Sequence, residues 1–301
     1  MDTSNEKNCY FVSSFGLAKS MTQSPTMFKN GAKYSFNYNN KYADTVYIRI
    51  VDIITFFQLY LEKFREPIIL VTGDMDTTVP DDILNCLQYC DHPKIILWYA
   101  QNLNIDTHLK LRHLPIGLDY HTLNLCETNI HMWGDKMTPL QQETQLLSLK
   151  HNIKCIKEVI NNKAISNFHL STYGYPLRRQ YNREPVLNTL KNKSCVVWLD
   201  RQKRIDFWKS CENYAFVICP FGNGLDTHRT WEVLCLGRIP IIGKSHLNKV
   251  FEDLPVVEID DWNKINEEWL EQNYNNVVQK WDLYNWDKLS LKYWVNKIKC
   301  S

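Results

Sequence analysis

Short apolar runs alternate with longer stretches at helical spacing along most of this chain, and that alternation restricts the fold more than any other feature. The runs lie at residues 9–13, 67–72, 94–98, 112–116, 164–170, 194–199, 215–219, 238–242 and 256–259. They are rich in β-branched residues and lack a clean two-residue alternation. A strand reads this way when helices cover both faces of its sheet, which is the situation of a parallel sheet. Between the runs, residues 50–64, 81–89, 138–160, 204–213, 227–236 and 263–273 carry apolar residues at helical spacing. Strand, helix, strand in repetition predicts an α/β fold.

The chain has 301 residues, more than one compact core usually needs. Two Rossmann-like domains facing a cleft are therefore expected. The longest helical stretch opens with Thr138-Pro139, a helix-start signature, and separates an early strand set from a late one. This division places one domain over 1–160, a second over 161–275 and a helical segment over 276–301. The last of these is expected to pack on the body through Trp281, Trp286 and Trp294. The turn-forming segment from Ser171 to Pro176 is expected at the junction.

Hydrophobic residues make up 44% and charged residues 23%, which excludes disorder as the main state. A net charge of +2, from 35 basic and 33 acidic residues, argues against bulk attraction to polyanions, so no nucleic-acid partner is expected. Acidic residues precede any apolar stretch at the N-terminus, unlike a secretory signal. The most apolar window, 46–64, contains Arg49, Asp52 and Glu62, too many charges for a membrane span. The ten cysteines include no CxxC pair, and Cys86 and Cys90 are spaced like neighbours on one helix face. They read as free thiols of a cytoplasmic protein without an integral membrane segment or metal site. Richness in Asn, Lys, Ile and Tyr with few Gly points to an AT-rich genome, such as that of a large DNA virus or a protist. A viral origin would place the protein in the host cytoplasm.

The most informative stretch runs from Phe216 to Ile242: a strand, a glycine-containing turn, a helix and a second strand. Gly222 and Gly224 flank Asn223 and remove side chains where the backbone turns sharply and a ligand can approach. Asp226 reads as an N-cap, followed by Thr227, and the free amides of the next turn favour an anion. Arg229 and Glu232 follow on one helix side, a cation suited to phosphate and a carboxylate suited to ribose hydroxyls. The plainer alternative is a surface i,i+3 ion pair. The dinucleotide fingerprint fails because position 227 is Thr. A P-loop ending in Gly243-Lys244-Ser245 fails because position 238 is Arg and the preceding run already reads as a strand.

The run Asp226-Thr227-His228-Arg229-Thr230-Trp231-Glu232, followed by Leu236-Gly237-Arg238-Ile239-Pro240, resembles the nucleotide-sugar signature of exostosin-like glycosyltransferases of the GT-B type. Asp260-Asp261-Trp262 gives looser support. The resemblance implies two Rossmann-like domains and transfer of a sugar from a UDP- or GDP-linked donor to a hydroxyl of a glycan or small acceptor, with no further cofactor. It implies Arg229 on the diphosphate and Glu232 on the ribose. Animal members carry a membrane anchor and lumenal disulfides; this chain shows neither sign, so a Golgi role and a glycosaminoglycan substrate are not expected.

An inverting enzyme of this kind needs a base on the acceptor side. Asp74 and Asp76 end one early strand, and Asp119 and His121 follow another, so both pairs are candidates. Asp74-Met75-Asp76 also looks like a metal-binding DxD, with turn-capping aspartates as the plain reading. His108, His113 and His131 lack metal-ligand spacing and read as structural. Arg201 or Arg204 offers a second phosphate contact, or merely a solvated helix start. Two further readings stay open at this point: a binder without turnover, and a metal-dependent enzyme built on Asp74 and Asp76.

Overall fold

The computed structural model describes residues 2–24, 38, 40–170 and 183–301, so the segment from Ser171 to Pro176 lies outside the described residues. Two parallel sheets form the frame. In the first, β1 (Thr45–Arg49), β2 (Ile68–Gly73), β3 (Ile95–Ala100) and β4 (Leu111–His113) lie side by side in chain order. In the second, β7 (Ile160–Ser166), β8 (Val196–Trp198), β9 (Tyr214–Ile218), β10 (Ile239–Gly243) and β11 (Val257–Ile259) take the order β11-β10-β9-β7-β8, again all parallel. A small antiparallel hairpin, β5 (Ile130–His131) and β6 (Gly134–Asp135), lies between them in the chain. Every residue of β2 and β10 is buried, which is why these strands show no alternation. The expected α/β fold with two Rossmann-like sheets is what the chain adopts.

Helices α2 (Ile53–Leu59) and α3 (Cys86–Cys90) cover the outer face of the first sheet, over Val46, Leu70 and Trp98. Helices α6 (Glu184–Leu190) and α9 (Glu267–Val278) cover the outer face of the second, over Ala164, Phe216 and Ile239. The inner faces share one core. Tyr47, Val71 and Tyr99 of the first sheet meet Ile165, Val217 and Ile242 of the second through α1 (Ser14–Ser20), α7 (Arg204–Ser210), α8 (His228–Cys235) and α10 (Leu291–Lys299). Helix α5 (Pro139–Asn152) begins with the expected Pro and a capping box between Thr138 and Gln141. Its buried Glu143 accepts hydrogen bonds from the amides of Tyr10 and Phe11 and from the Tyr120 hydroxyl.

Some local expectations change. Strand β1 was not expected, because it runs into the helical turn at Ile50 without an intervening turn residue and its apolar residues merge with the helix pattern. Residues 9–13 form isolated bridges, Phe11 to Ser290 and Ser13 to Gly117, instead of a sheet strand. The stretch at 138–160 stops being helical at Asn152, and Ile160 already belongs to β7. At the C-terminus Trp294 alone of the three indoles is fully buried, donating to Lys288 O at 2.7 Å, while Trp281 and Trp286 pack on each other half-buried. Helix α10 returns to the first sheet, where Tyr99 Oη donates to Lys297 O at 3.3 Å. Among the described residues no helix is long and apolar enough to cross a membrane, and all ten cysteines are free.

Candidate functional site

The carboxyl ends of parallel strands carry the loops that meet ligands in folds of this kind. After β9, Gly222 N donates to Gly224 O at 2.9 Å and closes the expected tight turn. Gly224 is required there: a Cβ would stand 2.9 Å from the Asn102 amide group. Asn102, which follows β3 at φ +52°, accepts from Asp226 N at 2.8 Å and donates to Met75 O at 3.1 Å. Asp226 corrects the N-cap expectation. Thr227 occupies that position without a side-chain cap bond, its hydroxyl lying 3.1 Å from that of Thr230. The Asp226 carboxylate turns instead to the first sheet, accepting from Ile116 N at 2.7 Å and from the Trp231 indole at 2.9 Å. Burial pushes this carboxyl up to about 7 in spite of those donors.

Arg229 stands on the first turn of α8, its guanidinium 3.5 Å above the Phe207 ring. Nη1 donates to Asn167 Oδ1 at 3.0 Å, and Nε lies 3.3 Å from Glu232 Oε2. The Arg229 side chain is 31% exposed, whereas that of Glu232 is 6% exposed, so the plain surface-pair alternative does not describe it. A second arginine, Arg183, joins the turn and had no signal in the sequence. Its Nε donates to Phe221 O at 2.7 Å and its Nη1 to His169 O at 3.0 Å. Its Nη2 lies 3.2 Å from where a Cβ on Gly222 would be. Burial and the neighbouring charge of Arg229 push Arg183 down to about 10, with Asp76 acting in the opposite direction. Asn223, between the two glycines, is exposed.

Arg204 is placed elsewhere. It is buried, donating to Asp119 O at 2.6 Å and to Gln142 Oε1, with its guanidinium 5.0 Å from the Trp208 ring centre. These contacts spend its donors on joining α5 and α7 to the loop after β4, and the solvated alternative is equally ruled out. Arg201 is exposed and contacts Met132.

On the acceptor side, Asp74 sits at φ +61° after β2, and its Oδ2 lies 3.0 Å from Arg49 Nε. Asp76 is half-buried, and its negative charge favours the charged form of Arg183. Among the described residues no three His, Cys, Asp or Glu side chains converge to hold a metal. His121 and Asp119 do come together, with Nδ1 3.2 Å from Oδ1, and Thr122 N donates to the same oxygen at 2.9 Å. Burial opposes charge on Asp119, but His121, His228 and Arg204 outweigh it and hold the carboxyl well below the usual range. Burial likewise opposes charge on His121, but Asp119, Glu6 and Asp74 outweigh it and raise that pKa. The His121 ring packs 4.7 Å from Phe15 and 6.0 Å from His228, whose Nδ1 is 2.8 Å from Gly117 O.

Glu6 also faces this cluster and had no sequence signal. Its Oε2 accepts from Ser13 Oγ at 2.7 Å, and its Oε1 has no hydrogen-bond partner among the described residues. Burial, only partly offset by His121, Ser13 and Lys19, pushes Glu6 up to about 7 from 4.5. The folded state therefore holds a proton that the unfolded chain releases. This contribution to stability is fully present below 4.5 and lost as pH rises through about 7. Glu6→Gln, which mimics the protonated form, should gain on wild type by up to about 3 kcal/mol between acid and mildly alkaline pH. Parallel urea-denaturation profiles for the two proteins across that range would rule this out.

The chain matches no known family profile, and no curated protein sequence is similar to it. Among solved structures it is similar to an alpha-glucosyltransferase in complex with UDP and a 13-mer DNA containing a central A:G mismatch. That alignment has a TM-score of 0.33 and 10% identity, and covers 82% of this chain and 73% of the other. It is also similar to an alpha-glucosyltransferase in complex with UDP-glucose and DNA containing an abasic site. There the TM-score is 0.31 and the identity 9%, over 85% of this chain and 77% of the other.

Proposed function

We propose that the protein is a glycosyltransferase that moves a sugar from a UDP- or GDP-linked donor to a hydroxyl of a glycan or small acceptor. The observation that carries this reading is the convergence of Arg183 and Arg229 on the Gly222-Asn223-Gly224 turn and the first turn of α8. Two guanidinium groups beside free helix amides suit the two phosphates of a nucleoside diphosphate. In the proposed reaction, His121 Nε2 takes the acceptor proton while Asp119 holds Nδ1. The acceptor oxygen then bonds to the anomeric carbon as the bond from that carbon to the diphosphate oxygen breaks. Charge growing on the leaving diphosphate is met by the two arginines and the α8 amides. Glu232, buried beside Arg229, takes the ribose hydroxyls, as the resemblance implies.

The pairing of Asp74 with Arg49 favours this reading over a metal site at Asp74 and Asp76. A thermal-shift screen of UDP- and GDP-sugars, with and without divalent cations, tests the proposal. A donor at about 100 times its Kd should add about 2.7 kcal/mol of stability, and transfer should survive EDTA. Silence toward every nucleotide sugar overturns the enzyme reading. Binding without turnover leaves the binder, and activity restored only by a divalent cation moves the chemistry to the aspartates.

A further inference from the structure

Glu6 holds a buried acceptor that the fold itself does not use. The residue is 1% exposed, in the short helical turn Glu6–Asn8, and its Oε2 accepts from Ser13 Oγ at 2.7 Å. Its Oε1 has no hydrogen-bond partner among the described residues. Buried polar atoms are ordinarily paired, because water no longer solvates them, so an unpaired carboxylate oxygen calls for a reason. Support of Ser13 is not that reason, since the single oxygen of a glutamine amide would accept the same hydroxyl.

Ser13 links Glu6 to the candidate base by two routes. Its hydroxyl also accepts from Gly16 N at 3.1 Å and so caps α1, whose Phe15 ring packs 4.7 Å from the His121 ring. Its backbone bridges Gly117, and Leu118 N donates to Val12 O at 2.8 Å. Gly117, at φ +68°, is required at this crossing: a Cβ would stand 2.1 Å from Val12 O. Asp119 and then α4 (His121–Leu125) follow directly from the crossing. The charges confirm the neighbourhood. After burial, His121 acts most on Glu6, ahead of Lys19 and Asp119. At His121, Glu6 comes after burial and Asp119 and ahead of Asp74 and Arg204, and His228 is the other titratable ring packed there, at 6.0 Å.

We propose that Glu6 is a positioning residue for His121: its carboxylate, fixed by Ser13, joins Asp119 in stabilising the imidazolium that forms when His121 takes the acceptor proton. In that step the acceptor O–H bond breaks and an N–H bond forms at His121 Nε2, while Glu6 exchanges no proton with the acceptor. The working form has Glu6 ionised and His121 neutral. Where water is excluded, a fixed carboxylate acts on a new positive charge more strongly than it would in solvent. This inference rests on the glycosyltransferase reading and adds to it the residue that tunes the base.

Nuclear magnetic resonance on the full chain with ring-labelled histidine reads the His121 midpoint directly, its signal assigned by its loss in His121→Asn. Glu6→Gln, the same shape without the charge, should lower that midpoint by about one pH unit, a roughly tenfold loss of proton affinity. Glu6→Asp, which keeps the charge, should restore most of it, and the exposed His151 should not respond. Ser13→Ala removes a hydrogen bond that favours the Glu6 anion, so it should move the midpoint the same way; it carries the test if Glu6→Gln does not fold. In sugar transfer the acid limb of the kcat/KM profile should move down with the midpoint, with donor affinity unchanged. An unmoved midpoint in folded variants overturns the proposal and leaves the transferase reading intact. An equal fall in Glu6→Gln and Glu6→Asp also overturns it, because the loss would then follow the shape and not the charge. A midpoint that moves as expected in a protein that neither binds nor transfers a nucleotide sugar supports the pairing of Glu6 with His121 and removes the transferase reading.

Discussion

Arg229→Ala should lower turnover by about a hundred- to a thousandfold, the range for losing one preorganised group that meets transition-state charge. Donor affinity should fall as well, because the same guanidinium faces the ground-state diphosphate. Arg183→Ala should weaken donor binding with a smaller effect on turnover, since two of its nitrogens are already committed to Phe221 O and His169 O. Folding must be controlled for. Removing Arg229 leaves the Glu232 carboxylate buried without its ion-pair partner, so Arg229→Lys serves as the variant that keeps a cation beside it. Steady-state kinetics and nucleotide calorimetry on the variants decide the matter. A folded Arg229→Ala with unaltered kcat and Kd would sink the assignment.

Asp226→Ala should be the most destabilising single change at the site. Its carboxylate satisfies the Ile116 amide and the Trp231 indole, both buried. Each donor left unsatisfied costs about 1–3 kcal/mol, so roughly 2–6 kcal/mol in all. Burial has raised the carboxyl to about 7 from 3.8. The protonated form is therefore favoured in the folded state, and its contribution, complete below 3.8, is lost as pH rises through about 7. Asp226→Asn, neutral at every pH and still an acceptor, should accordingly cost less than Ala. Urea denaturation measures the difference. An Asp226→Ala midpoint equal to that of wild type would show that the carboxylate does not join the two sheets energetically.

The parallel sheets were legible in the sequence because their cause is local. A strand covered on both faces must be apolar at successive positions, as the fully buried runs of β2 and β10 are. The turn at Gly222 and Gly224 and the helix bearing Arg229 were legible for the same reason: glycine spacing and helical period act within a few residues. What only the tertiary structure decided involves partners far apart in the chain. Asp226 meets Ile116 across 110 residues and Asn102 across 124, which turned a plausible helix cap into a tie between sheets. Arg204 meets Asp119 across 85 residues and is thereby withdrawn from the phosphate turn. Arg183 arrives there through Phe221, 38 residues away, with no motif around it. Glu6 acquires its raised proton affinity only when burial removes water from it, and His121 acquires its own only when Asp119, Glu6 and Asp74 close around it and outweigh the opposing effect of burial. Periodicity records which face of an element is apolar; which buried polar group answers another is settled only when distant segments close on each other and each donor must find an acceptor.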